Sequence, residues 1–188
     1  MSSVSEIDVV RSELEAEQAY VDHAHACLEA TRRRIREFWE RVAAGRDGTH
    51  AARFERDVLE HRVFQRLGQL ELGGRSLCFG RIDMHSDGEG GDGRGEGAET
   101  FYIGRIGVWD EDQAAVVCDW RAPVAEPFFR ATGRRPMGLA LRRRFVSRGS
   151  RLLGIDDEHF SPGGLDGDGE GAPRHDLALQ AALEAPRT

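Results

Sequence analysis

At the start of the chain, apolar residues recur on alternating three- and four-residue steps. They are Ile7, Val10, Leu14, Val21, Ala24, Leu28, Ile35, Phe38 and Val42, a series interrupted only at Glu17 and Thr31. No Gly or Pro falls between residues 4 and 43. That pattern predicts one long helix of coiled-coil type, ~60 Å from end to end. Ala44–Gly45–Arg46–Asp47–Gly48 breaks it, and Thr49 has the chemistry of an N-cap for a second helix from His50 to Leu72. On that helix Phe54, Val58 and Leu72 are expected against the first helix, while Leu59, Val63, Leu67 and Leu70 mark a second apolar face. A link this short makes the two helices antiparallel.

After Gly73–Gly74 the period changes from helical to strand-like. Leu77 to Met84 reads as a first strand. Two apolar runs, Phe101 to Trp109 and Ala114 to Trp120, flank the acidic turn Asp110–Glu111–Asp112 and read as a hairpin. Its second strand runs into Asp119–Trp120–Arg121–Ala122–Pro123, and Pro123 and Pro127 end the ladder because proline has no N–H to donate. The expected corner has Trp120 filling the core and an Asp119 or Arg121 contact fixing the exit loop. Met137 to Ser147 and Arg151 to Ile155 form a further hairpin, turning at Arg148–Gly149–Ser150. Gly-rich stretches at 86–98 and 161–173 read as a loop and a linker, and Leu177, Leu179 and Leu183 anchor a short helix that Pro186 stops. The fold class is α+β. A long antiparallel helical hairpin (1–74) precedes a small, mostly antiparallel β module (77–160), a linker (161–173), and a short C-terminal helix and tail (174–188).

Charge sharpens this picture. The net charge of −7 hides blocks: residues 1–29 hold seven acids against Arg11, whereas 121–151 hold nine arginines against Glu126 alone. Arg142, Arg143 and Arg144, flanked by Arg134, Arg135 and Arg148, make a candidate patch for nucleic-acid phosphates. Salt bridges to the acidic flanks, Asp156–Asp157–Glu158 among them, are the alternative. Every basic residue is Arg, and there is no Lys. That excludes a P-loop, whose Lys neutralises phosphate charge, and Schiff-base chemistry. Gly88-x-Gly90-x-x-Gly93 lacks the following helix that a dinucleotide site requires. Asp166-x-Asp168-x-Glu170 begins like a calcium loop but places Leu177 where a Glu is needed. On a helix His23 and Cys27 share a face and His25 does not, so these three are not a metal site. Three widely spaced cysteines suggest no disulfide framework, and no apolar run has the length of a membrane span. The chain reads as cytoplasmic, with no cofactor and no catalytic residue.

Four segments carry a resemblance: FGRID (Phe79–Asp83), YIGRIGV (Tyr102–Val108), DWRAPVAEPFFRAT (Asp119–Thr132) and GIDDEHF (Gly154–Phe160). Together and in this order they resemble the N-terminal part of the HelD family, bacterial superfamily-1 helicase-like ATPases that bind and recycle RNA polymerase. The resemblance implies RNA polymerase as a partner, with a helical arm that enters the polymerase secondary channel. Arg41, Arg46, Asp47 and Thr49 are then candidate contacts at the tip. Asp119, Trp120, Arg121 and Pro123 are the structural motif. Family members continue into a nucleotide-binding motor, and the chain reads as stopping before it, so ATP and Mg are expected only with that motor. Two alternatives stand beside this one: a non-catalytic piece of a split ATPase, and a homodimer built on the heptads of the arm.

Overall fold

The computed structural model describes residues 3–44, 50–85 and 99–161. Helix α1 (Ser3–Ala43) is continuous over the whole predicted stretch. Helix α2 (His50–Gln69) ends sooner than its apolar pattern, and Leu70 and Leu72 turn into the core beyond it. Six strands follow: β1 (Cys78–Met84), β2 (Glu99–Gly104), β3 (Val108–Trp109), β4 (Ala115–Asp119), β5 (Leu139–Arg148) and β6 (Arg151–His159). They form one sheet in the order β3-β4-β2-β1-β5-β6, antiparallel except for the β2–β4 pair. After β4 a 3-10 turn (Pro123–Ala125) leads into the one-turn helix α3 (Glu126–Arg130).

The sheet has two covered faces. On one, Val21, Ala24 and Leu28 of α1 pack with Leu70, Leu72, Leu77, Cys78, Val108, Val116, Val117 and Leu152. On the other, Phe128 and Ala125 cover Ile82, Ile103, Leu139 and Phe160. The N-terminal half of the long helix is thus a layer of the β module. Past Thr31, where Ile35, Phe38 and Val42 continue the apolar stripe, its neighbour is α2. Leu72, beyond the end of α2, packs with α1 as expected, but within α2 the two faces are the reverse of the expected ones. Val63 is buried towards α1, with Leu59 and Leu67 half-buried on the same side, whereas Phe54 is 70% exposed and Val58 is exposed. Period alone marks an apolar stripe on a helix but not which of two stripes meets the neighbour.

The expected hairpin over residues 101–120 resolves differently. Its first run is two strands, broken at Arg105–Ile106–Gly107, and only the short β3 pairs antiparallel with β4 across the acidic turn. β2 instead lies parallel to β4. The break sits where the Arg105 N–H donates to Leu77 O at 2.9 Å, and where a Cβ on Gly104 would strike that same carbonyl. The β5–β6 hairpin forms as expected around Gly149 (φ 61°), with β6 running on through the acidic triplet to His159. The predicted tip Ala44–Thr49 lies outside the described residues except Ala44. The Gly-rich loop, the C-terminal helix and all but Ser161 of the linker also lie outside them.

Candidate interaction site on the helical arm

Glu17, which interrupts the apolar series, is the most consequential residue of α1. It is 2% exposed and lies over the centre of the sheet. Its Oε1 accepts from Arg81 at 2.7 Å and from Arg143 at 2.9 Å, and its Oε2 accepts from Tyr102 Oη at 2.9 Å. Arg143 also donates to Glu13 one turn earlier (2.7 Å) and, bidentately, to Asp157 (2.7 and 2.5 Å). Arg81 reaches Asp83 at 2.9 Å. A buried carboxylate is tolerated only when paired and hydrogen-bonded, and this one has partners from three strands. Tyr20 stacks on Tyr102 at 3.5 Å and 8°, and donates to Val116 O at 2.9 Å. Gln18 exchanges hydrogen bonds with Leu152 N (2.7 Å) and Ser150 O (3.1 Å). Residues 17–20 alone therefore tie α1 to β1, β2, β4, β5 and β6.

Arg81 reaches α1 because of a bulge. The β1–β2 register shifts between Cys78 and Gly80. Phe79 and Gly80 both face α3, and alternation then resumes with Arg81 towards α1. Burial pushes the Tyr20 phenol and the Cys78 thiol up to about 12 each, and raises Tyr102 further, with Glu17 adding to all three. The Arg143 guanidinium is raised by its hydrogen bonds to Asp157 and Glu17 against the cost of burial.

The arginine run does not present a single surface, and its members are paired within the chain. Consecutive strand residues point to opposite faces, so Arg143 enters the Glu17 cluster while Arg142 passes to the α3 side. There Arg142 donates to Phe128 O (3.0 Å) and Ala131 O (3.1 Å), pairs with Glu158, and lies over the Phe160 ring. Arg144 pairs with Asp156 (3.5 Å) and Glu158 (3.2 Å). The acidic flank neutralises the run within the chain. Arg134 and Arg135 lie exposed in the turn between α3 and β5, and Arg148 lies exposed at the far end of β5. The six are not brought together.

At the corner after β4, Arg121 is held by Asp119 through its backbone N–H, Nε and Nη2 (2.9, 2.9 and 2.8 Å), which is the expected fixing contact. The Arg121 hydrogen bonds hold the Asp119 carboxyl below its ordinary value. Trp120 does not fill the core. It is 48% exposed and meets the exposed Phe129 edge-on, with Arg121 over its ring. Pro123 opens the 3-10 turn that directs the chain under the sheet, where Ala125 and Phe128 are the buried residues.

On the arm, His23 and Cys27 meet at 3.6 Å, as their spacing requires, and burial lowers the His25 ring. Arg32 donates to Leu70 O, closing α1 on the end of α2. Trp39 and Phe64 meet at 6.5 Å further out. Of the tip candidates Arg41 is described: it is exposed and its Nε donates to Glu37 O at 3.3 Å. Arg46, Asp47 and Thr49 lie outside the described residues. Sequence reasoning passed over Glu17. The available signal was a carboxylate on the buried stripe, with Glu13 one turn before it on the same face. Among the described residues no helix is long and apolar enough to cross a membrane. A comparison with family models matches residues 14–174 to one described as DNA helicase IV HelD, N-terminal domain. No curated protein matches the chain.

Proposed function

From a chain that belongs to the HelD N-terminal domain family, we propose an RNA polymerase-docking module in which the sheet is the mount and the α1–α2 pair is the probe. The supporting observation is the anchoring of α1. Its first half is fastened by the Glu17 cluster and the shared core, and the same unbroken helix then carries on with α2. A helix fixed along half its length presents the remainder at a set angle, which suits insertion into a channel. In this reading the tip around Arg41–Thr49 makes the polymerase contact, the module works in the cytoplasm, and its role lies in transcription recycling.

The test deletes Arg41 to Thr49. Capture of purified RNA polymerase is expected to be lost while the near-ultraviolet circular dichroism of the sheet, with its stacked tyrosines, persists. Undiminished capture by a folded deletion variant overturns the reading. The chain contributes no chemistry of its own: with no Lys anywhere it has no P-loop. The purified protein is expected to show no ATP turnover with or without polymerase and DNA, and stoichiometric turnover would contradict that.

A further inference from the structure

The apolar stripe that seats α1 on the sheet does not by itself say which part of the helix sits there. Val21, Ala24 and Leu28 are the buried residues of α1 in the shared core. One heptad later the chain offers Leu28, Thr31 and Ile35, and the Thr31 hydroxyl already donates to Cys27 O at 3.0 Å. Towards α2 the stripe continues at the same spacing through Phe38 and Val42. Sliding α1 by one heptad therefore returns a mainly apolar stripe to apolar sites, with the helix displaced ~10 Å along its axis.

What does not repeat is Glu17. If Ala24 takes its place, the Arg81 and Arg143 guanidinium groups lose the buried carboxylate they share (2.7 and 2.9 Å), and the Tyr102 hydroxyl loses its acceptor. If the helix slides the other way, Glu17 arrives at the fully buried site of Ala24, inside the apolar cluster, where a carboxylate is costly. Charge opposes both slides where the stripe does not. We infer that the Glu17–Arg81–Arg143 cluster is a register lock: it selects one of the seats that the heptad stripe allows and so fixes how far α1 reaches beyond the sheet. Buried polar groups that specify the register of a repeating apolar seam are the best-attested case of charge kept inside a fold. The lock acts within the chain and is independent of what the arm meets.

The test moves the charge by one heptad. In the variant Glu17→Ala, Ala24→Glu, Thr31→Ala, the carboxylate and its apolar stripe recur seven residues further along α1. Spin labels carried on p-acetylphenylalanine at Glu37 and Arg148, both exposed, report the seat of the helix by double electron–electron resonance. Arg148 borders the turn whose Ser150 O accepts from Gln18, so the label-to-label vector runs along α1. The variant is expected to fold, by far-ultraviolet circular dichroism, with a distance shorter than wild type by roughly 10 Å. A folded variant with the wild-type distance overturns the inference and leaves register to Tyr20, Gln18 and Arg32. Should that variant not fold, an apolar replacement decides: Glu17→Leu, Arg81→Leu, Tyr102→Phe and Arg143→Leu together remove the lock and keep the stripe. That chain is expected to show the wild-type distance together with a displaced one. A single wild-type distance, or loss of folding here too, overturns the inference.

Discussion

Replacing Glu17 by Ala would leave the Arg81 and Arg143 guanidinium groups facing one another at the centre of a covered sheet. Removing one partner from a buried ion network costs about 3–5 kcal/mol, and urea unfolding of the Glu17→Ala variant should show a loss of that size. Trp120→Ala should cost less than about 1.5 kcal/mol, because the half-exposed indole contributes one edge-on aromatic contact. A larger fall in melting temperature would mean that the corner bears more of the fold than its exposure indicates. The two tyrosines of the chain, Tyr20 and Tyr102, are the stacked pair, and both are held neutral above their ordinary value. In the folded protein phenolate absorbance should therefore stay low through pH 10. For Tyr20 the folded value is about 12 against 10.0 for the free side chain. The native state then keeps a proton that the unfolded state releases, so this contribution to stability is complete below pH 10 and declines towards pH 12. Denaturant midpoints across that interval measure it.

Among the elements, β1 is the strand with least tolerance. A Cβ on Gly80 would strike the Arg143 carbonyl and come within 2.8 Å of the Phe128 ring. Gly80→Ala should cost at least about 1–3 kcal/mol, the usual range for overpacking a closed site, and thermal melting gives the comparison. Much of the element order was legible. The helical period marks α1 along its length, and the change to strand-like runs marks β1 and the β5–β6 hairpin. Three features were not legible, each for a physical reason. The β2–β4 parallel pairing is long-range, so no local pattern encodes it. The facing of α2 depends on the rotation of one helix about another, which two competing apolar stripes leave open. The bulge at Cys78–Gly80 moves Arg81 to the α1 side, and nothing in a run of alternating residues announces a skipped step. The Arg142–Arg144 run was the case where a simple rule would have helped: on a strand, three consecutive side chains do not share a surface.

At the scale of the whole molecule, the arm and the sheet share one core, since Leu28 and Leu77 are buried in the same cluster. Residues 77–161 expressed alone would expose the face formed by Leu77, Cys78, Val117 and Leu152, and should fail to give a cooperative unfolding transition. A sharp transition with the stability of the intact chain would show that α1 is dispensable. The base of the arm has a mechanical meaning of its own. Residues 17–20 bind five of the six strands within about one helical turn. That turn is a fulcrum, and α1 is a lever with a short end before it and a long end beyond. A load on the long end reaches the sheet as torque, spread across nearly its full width. In the docking role proposed above, the angle at which the arm is offered would therefore be set at its base, by the sheet.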